Sequence, residues 1–124
     1  MTKTAINDII FLLNYICNPL HLSAKDNYIT VCENVEKLML TAHTKTFDGV
    51  DSPLFYLVGV VQSVRFTVES GEGGENLPYY YDKINALKEL IAPVFCDAVS
   101  VESYTKAQAT AKKIMFGQCE VMYF

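Results

Sequence analysis

This chain of 124 residues has no tryptophan, a single arginine (Arg65), two histidines (His21 and His43), and charges on fewer than a fifth of its positions. Each shortage makes a class of function unlikely. Direct nucleic-acid binding draws on clustered Lys and Arg to neutralise phosphates, and the only adjacent basic pair is Lys112-Lys113. The acidic excess, 14 against 10 basic residues, is too mild and too dispersed to imitate a phosphate array. No C-x-x-C motif occurs; the four cysteines, Cys17, Cys32, Cys96 and Cys119, lie far apart, unlike the dense framework of a small secreted domain. Three of them sit within apolar helical patterns and read as buried, reduced thiols. The apolar run from Ile9 to Cys17 is too short to cross a bilayer, and Asp8 and Asn14 spoil it as a signal-peptide core. The expectation is a cytoplasmic protein with no membrane partner. Nor does the glycine-rich stretch GEGGEN cradle phosphate: no lysine and hydroxyl follow its glycines, and Glu72 and Glu75 repel anions.

Apolar residues, by contrast, make up 51% of the chain. That is ample to offset the ordering entropy of one domain spanning residues 1–124. Mean hydropathy is slightly positive, high for a small monomer that must also keep a polar exterior, so a homo-oligomer is expected. Nine lysines to one arginine, with much Ile, Asn and Tyr, fit an AT-rich coding sequence, as in low-GC bacteria and their viruses.

Ile6, Ile9, Ile10, Leu13, Ile16 and Cys17 recur at helical spacing until Asn18-Pro19 stops the pattern. Ser23, with Asp26 three residues on, is expected to cap a second helix whose stripe is Tyr28, Val31, Cys32, Val35, Leu38, Met39 and Ala42. Thr44 to Val50 reads as a loop. Ser52-Pro53 is a strong helix start, and Leu54, Leu57, Val58, Val61, Val64 and Val68 share one helical face. Within it, VRFTVE alternates like a strand, which leaves an α+β arrangement, with residues 60–69 and the C-terminal tail as short strands, as the alternative to helix. From Pro78 the stripe Tyr80, Ile84, Leu87, Ile91 and Val94 predicts a further helix, with Tyr79 and Asp82 outward and Tyr81 at the border. Pro93 should kink or end it, with VFCDAVS as a second piece. A last helix, ESYTKAQATAKKIMFG, should stop at Gly117, and the apolar tail QCEVMYF should dock as an edge strand or at a subunit interface. The fold class expected is all-α, a compact bundle or orthogonal array of four to five helices.

The inventory for catalysis is poor, and no catalytic residue is assigned. Cys17, His21, Cys32 and His43 match no usual zinc spacing, and a regular helix holding Cys32 and His43 keeps them about 16 Å apart. No metal and no cofactor is expected. Glu33 and Glu36 share a face with Lys37, and Asp48 and Asp51 flank a turn; both pairs read as solvated acids. Fifteen Phe and Tyr residues are the functional lead, because tyrosine offers large rigid contact area at small entropy cost. Tyr79, Tyr81, Tyr104, Tyr123 and Phe124 are the candidate binding residues. They suggest a non-enzymatic module that binds a protein partner as adaptor, regulator or inhibitor, of the kind common in viruses and mobile elements. Two alternatives stand beside it. One is a small-ligand or nucleotide binder in which Tyr79 or Tyr81 stacks on a planar group while Lys83 or Arg65 meets its phosphate; the other is a Cys/His-dependent enzyme.

Overall fold

The structure, a computed structural model, describes residues 3–46, 52–94 and 101–122, with side chains described over 5–42, 52–91 and 102–116. The fold is all-α. Helix α1 (Lys3–Ile16) leads through a 3-10 helix (Pro19–Ser23) into α2 (Lys25–Thr46); α3 (Pro53–Ser70) leads through a shorter 3-10 turn (Gly74–Asn76) into α4 (Leu77–Val94), and α5 (Val101–Met122) follows. No strand occurs among the described residues. Successive helices from α1 to α4 pack side by side and α1 also touches α4, closing a ring of four, while α5 lies outside against α4 and α3.

One hydrophobic core draws on all five helices. Ile6, Ile9, Leu13 and Ile16 of α1 and Tyr28, Cys32, Val35, Met39 and Ala42 of α2 keep the three-and-four spacing of a helical stripe. Each fully buried Leu or Ile contributes about 1.5–3 kcal/mol relative to an exposed one. Helix α3 buries a wider sector, adding Tyr56 and Val60 to its stripe, because α2, α4 and α5 all pack on it. Helix α5 meets the ring through Tyr104, Ala107 and Ala111, the two alanines leaving room for close packing.

Caps and breaks follow local chemistry in most places. Ser52 caps α3, its hydroxyl accepting from the Phe55 amide at 3.1 Å, and Pro53 takes the first helical position. At the other end Gly71 adopts φ +73°, where a Cβ is strained, and its amide donates to the Thr67 carbonyl. The strand-like VRFTVE stretch lies inside α3, so the α+β alternative is corrected to helix. Two of its polar side chains find partners within the helix: Thr67 Oγ1 donates to the Ser63 carbonyl at 2.8 Å, and Arg65 donates to Glu69 four residues on at 3.0 Å.

Three boundaries differ from expectation, and a fourth lies at the edge of the described residues. Ser23 does not cap α2; its hydroxyl donates back to the Leu20 carbonyl at 3.1 Å, closing the 3-10 helix that Asn18 and Pro19 open, and α2 begins after Ala24. Helix α2 extends to Thr46, past the expected loop start, while Asp48 and Asp51 lie outside the described residues. Pro93 falls within the last described turn of α4; of the piece expected after it, residues 94–100, only Val94 is described, as the end of α4. Gly117 does not stop α5, which continues to Met122, so the expected edge strand is helix as far as it is described. One interior glycine costs about 1 kcal/mol, too little to end a helix of good formers.

Candidate functional site

The tyrosines of LPYYY divide over the faces of α4. Tyr81, expected at the border, is only 9% exposed. With Leu77, Ile84, Leu87 and Ile91 it forms the buried stripe. Tyr80, expected in the core, is half-buried and packs against the core's edge. Ile84, Leu87 and Ile91 are buried as the spacing suggested; only the first turn differs, where α1 packs on α4 and Tyr28 reaches Tyr81 from α2. Tyr79, as expected, faces out at 58% exposure. Its ring lies over Lys83 Nζ, 4.7 Å from the centroid. That ammonium donates to the carbonyls of Ile114 at 2.9 Å and Met115 at 3.1 Å, tying α4 to α5. Tyr104, placed near the surface by the sequence, is corrected to buried at 8% exposure, since it is the first of the α5 residues that face the ring. Tyr123 and Phe124 lie outside the described residues.

Tyr81 belongs to a buried polar chain. The Tyr28 hydroxyl donates to the Ile16 carbonyl at 2.6 Å, and the Tyr81 hydroxyl stands 3.2 Å from it. A phenol has one proton, and a carbonyl can only accept, so Tyr81 donates to Tyr28. The chain ends on the last carbonyl of α1, which a regular helix leaves without an amide partner. Burial pushes the Tyr28 phenol well above its ordinary range, and burial likewise raises Tyr81.

Next to this chain the turn from α1 into the 3-10 helix and the start of α4 enclose a half-open groove of about 480 Å³. Leu77, Tyr81 and Leu22 form its apolar base, with the Cys17 thiol beside them, 3.9 Å from the Tyr81 carbonyl. Pro19, Pro78, Asp82 and Asn85 supply the exposed edges. Lys88 braces the α1 side, donating to Asn14 and, at 2.7 Å, to Asn85. The neighbouring Leu20 is 79% exposed. No family model, curated protein or solved structure matches this chain. The site is therefore read from its own chemistry.

Burial pushes the Cys17 thiol up to about 11 and the Cys32 thiol up to about 12, leaving both protonated and weakly nucleophilic near neutrality. His21 is stacked on Tyr15, centroids 3.7 Å apart. Among the described residues no three His, Cys, Asp or Glu side chains gather as a metal site, and no helix is long and apolar enough to cross a membrane. Glu36, read as a solvated acid, is corrected to 6% exposure: Arg65 reaches across from α3 and binds it through Nε at 2.8 Å and Nη2 at 3.3 Å. The cations imagined for a phosphate thus already donate to protein acceptors, Arg65 to Glu36 and Glu69 and Lys83 to the two α5 carbonyls.

Cys17, Pro19, Leu22, Asp82 and Asn85 of the groove lining, and Leu20 beside it, were not among the candidate binding residues. A signal existed in NPLHLS, where two leucines flank one histidine in a stretch treated only as a break between helices.

Proposed function

We propose that this chain is a non-enzymatic protein–protein interaction module that acts by occupying a partner's surface, as an adaptor, regulator or inhibitor, and that also associates with itself. The observation that carries the reading is apolar exposure. Leu20, Phe66 and Tyr79 each leave more than half of their surface in solvent, although the chain has core enough to bury its other helical stripes. Large apolar side chains held outward on folded helices favour protein contact. The paired Arg65 and Lys83, and the protonated thiols, weigh against the nucleotide and Cys/His alternatives.

The test combines capture with a ligand screen. The folded chain, immobilised, should retain a discrete set of proteins from a source extract, and Phe66→Ser with Tyr79→Ala should lose them while keeping the parent's circular dichroism spectrum. Nucleotides and divalent metals should leave the melting temperature unmoved. A nucleotide or metal that stabilises by about 2.7 kcal/mol, the effect of a ligand at a hundred times its dissociation constant, with no protein retained, would replace this reading with ligand binding.

A further inference from the structure

We propose that the groove between the 3-10 helix and α4 is the seat of a second copy of this chain, each copy inserting Leu20 into the groove of the other about a two-fold axis. This rests on the interaction reading above and names the partner and the face.

Knob and hole lie side by side. Leu20 is the most exposed large apolar side chain described, at 79%, and its neighbours Pro19 and Leu22 line the groove. A two-fold axis through such a surface brings each knob to the other's hole and fills both together, whereas a head-to-tail contact leaves one leucine and one groove open. The knob is held ready. Asn18 accepts from the Leu20 amide at 3.1 Å, Pro19 fixes the first position, and Ser23 donates to the Leu20 carbonyl, so little conformational freedom is lost on docking.

Charge supports the same pairing. Lys25 begins α2 five residues after the knob, and Asp82 edges the groove on the α4 side. Both are exposed, and no ion pair of either is seen among the described residues. The two-fold operation lays the turn side of one copy over the α4 side of the other, which carries Lys25 towards Asp82 of the second copy at both ends of the contact.

Sedimentation velocity from roughly 1 to 200 µM tests this, with circular dichroism and melting as checks on folding. The parent is expected to dimerise with concentration. Because each dimer loses two seats, Leu20→Asp should weaken it roughly a hundredfold or more. Phe11→Asp, equally apolar and 70% exposed but outside the groove lining, should leave it within about threefold of the parent. Lys25→Asp and Asp82→Lys should each weaken the dimer, and the two together in one chain should restore it, an exchange that a merely structural role would not rescue. A parent that stays monomeric, a dimer indifferent to Leu20→Asp, or one broken by Phe11→Asp instead overturns the proposal. A monomer that captures another protein through Leu20 gives the groove to a foreign partner and leaves the interaction reading standing. A monomer that captures nothing removes both.

Discussion

Deleting the two hydroxyls of the buried tyrosine chain, one at a time, should have unequal effects. Tyr28→Phe removes the donor to the Ile16 carbonyl and the acceptor for Tyr81 together, since Tyr28 stands 2.6 Å from the first and 3.2 Å from the second. Ile16 and Tyr28 are wholly buried, so a carbonyl and a phenol are left unsatisfied in a dry site; each such group costs about 1–3 kcal/mol, so the total should be at least about 2 kcal/mol. Tyr81→Phe removes only a donor to an oxygen already bonded through its own proton. A hydroxyl tolerates an unused lone pair, so the loss should be about 0.5–1.5 kcal/mol. In the double variant the Tyr81 hydroxyl is no longer orphaned, so the combined loss should fall short of the sum by about 1 kcal/mol. Urea melts followed by far-ultraviolet circular dichroism at neutral pH measure all four corners of this cycle. If Tyr81→Phe is the more damaging substitution, or the two losses simply add, the proton order from Tyr81 through Tyr28 to Ile16 is wrong.

Three other outcomes are expected. Tyr81→Ala should cost about 3–5 kcal/mol as a core aromatic truncation, while Tyr79→Ala should cost no more than about 0.5–1 kcal/mol, the size of an exposed cation–π contact with Lys83; melts of the two variants compare them directly. Arg65→Met leaves Glu36 almost buried without its cation and should cost about 3 kcal/mol, with much of the loss recovered in Arg65→Met/Glu36→Leu by the same assay. Stability should fall as pH rises from about 9 to about 12. The folded-state values of Cys17 and Cys32 are raised from 9.0 to about 11 and about 12, so their contribution is whole below pH 9 and is lost as the unfolded thiols ionise first. Urea midpoints at intervals across that window check the sign, and a flat or rising profile would count against burial of the two thiols.

Much of the helical order is local and therefore readable along the chain. The stripes of α1 and α2, the Ser52-Pro53 start of α3 and the turn at Gly71 depend on spacing, one hydroxyl and one left-handed residue, all of which act within a few positions. Placement of the tyrosines was not readable in this way. Tyr80 and Tyr81 both keep helical spacing with Ile84, and only the packing of α1 on α4, with Tyr28 reaching across from α2, decides that Tyr81 enters the core. Glu36 shares its surface with Glu33 and Lys37 in the sequence, yet Arg65, 29 positions on, turns it into one half of a buried pair. The groove belongs wholly to tertiary structure, since its base joins Cys17 and Leu22 to Leu77 and Tyr81, and no local rule links residues so far apart. Periodicity determines that a stretch is helical and roughly which face is apolar, because helix formation depends on near neighbours. Which edge of that face is covered, which charge finds a partner and where a hollow is left depend on how the helices meet.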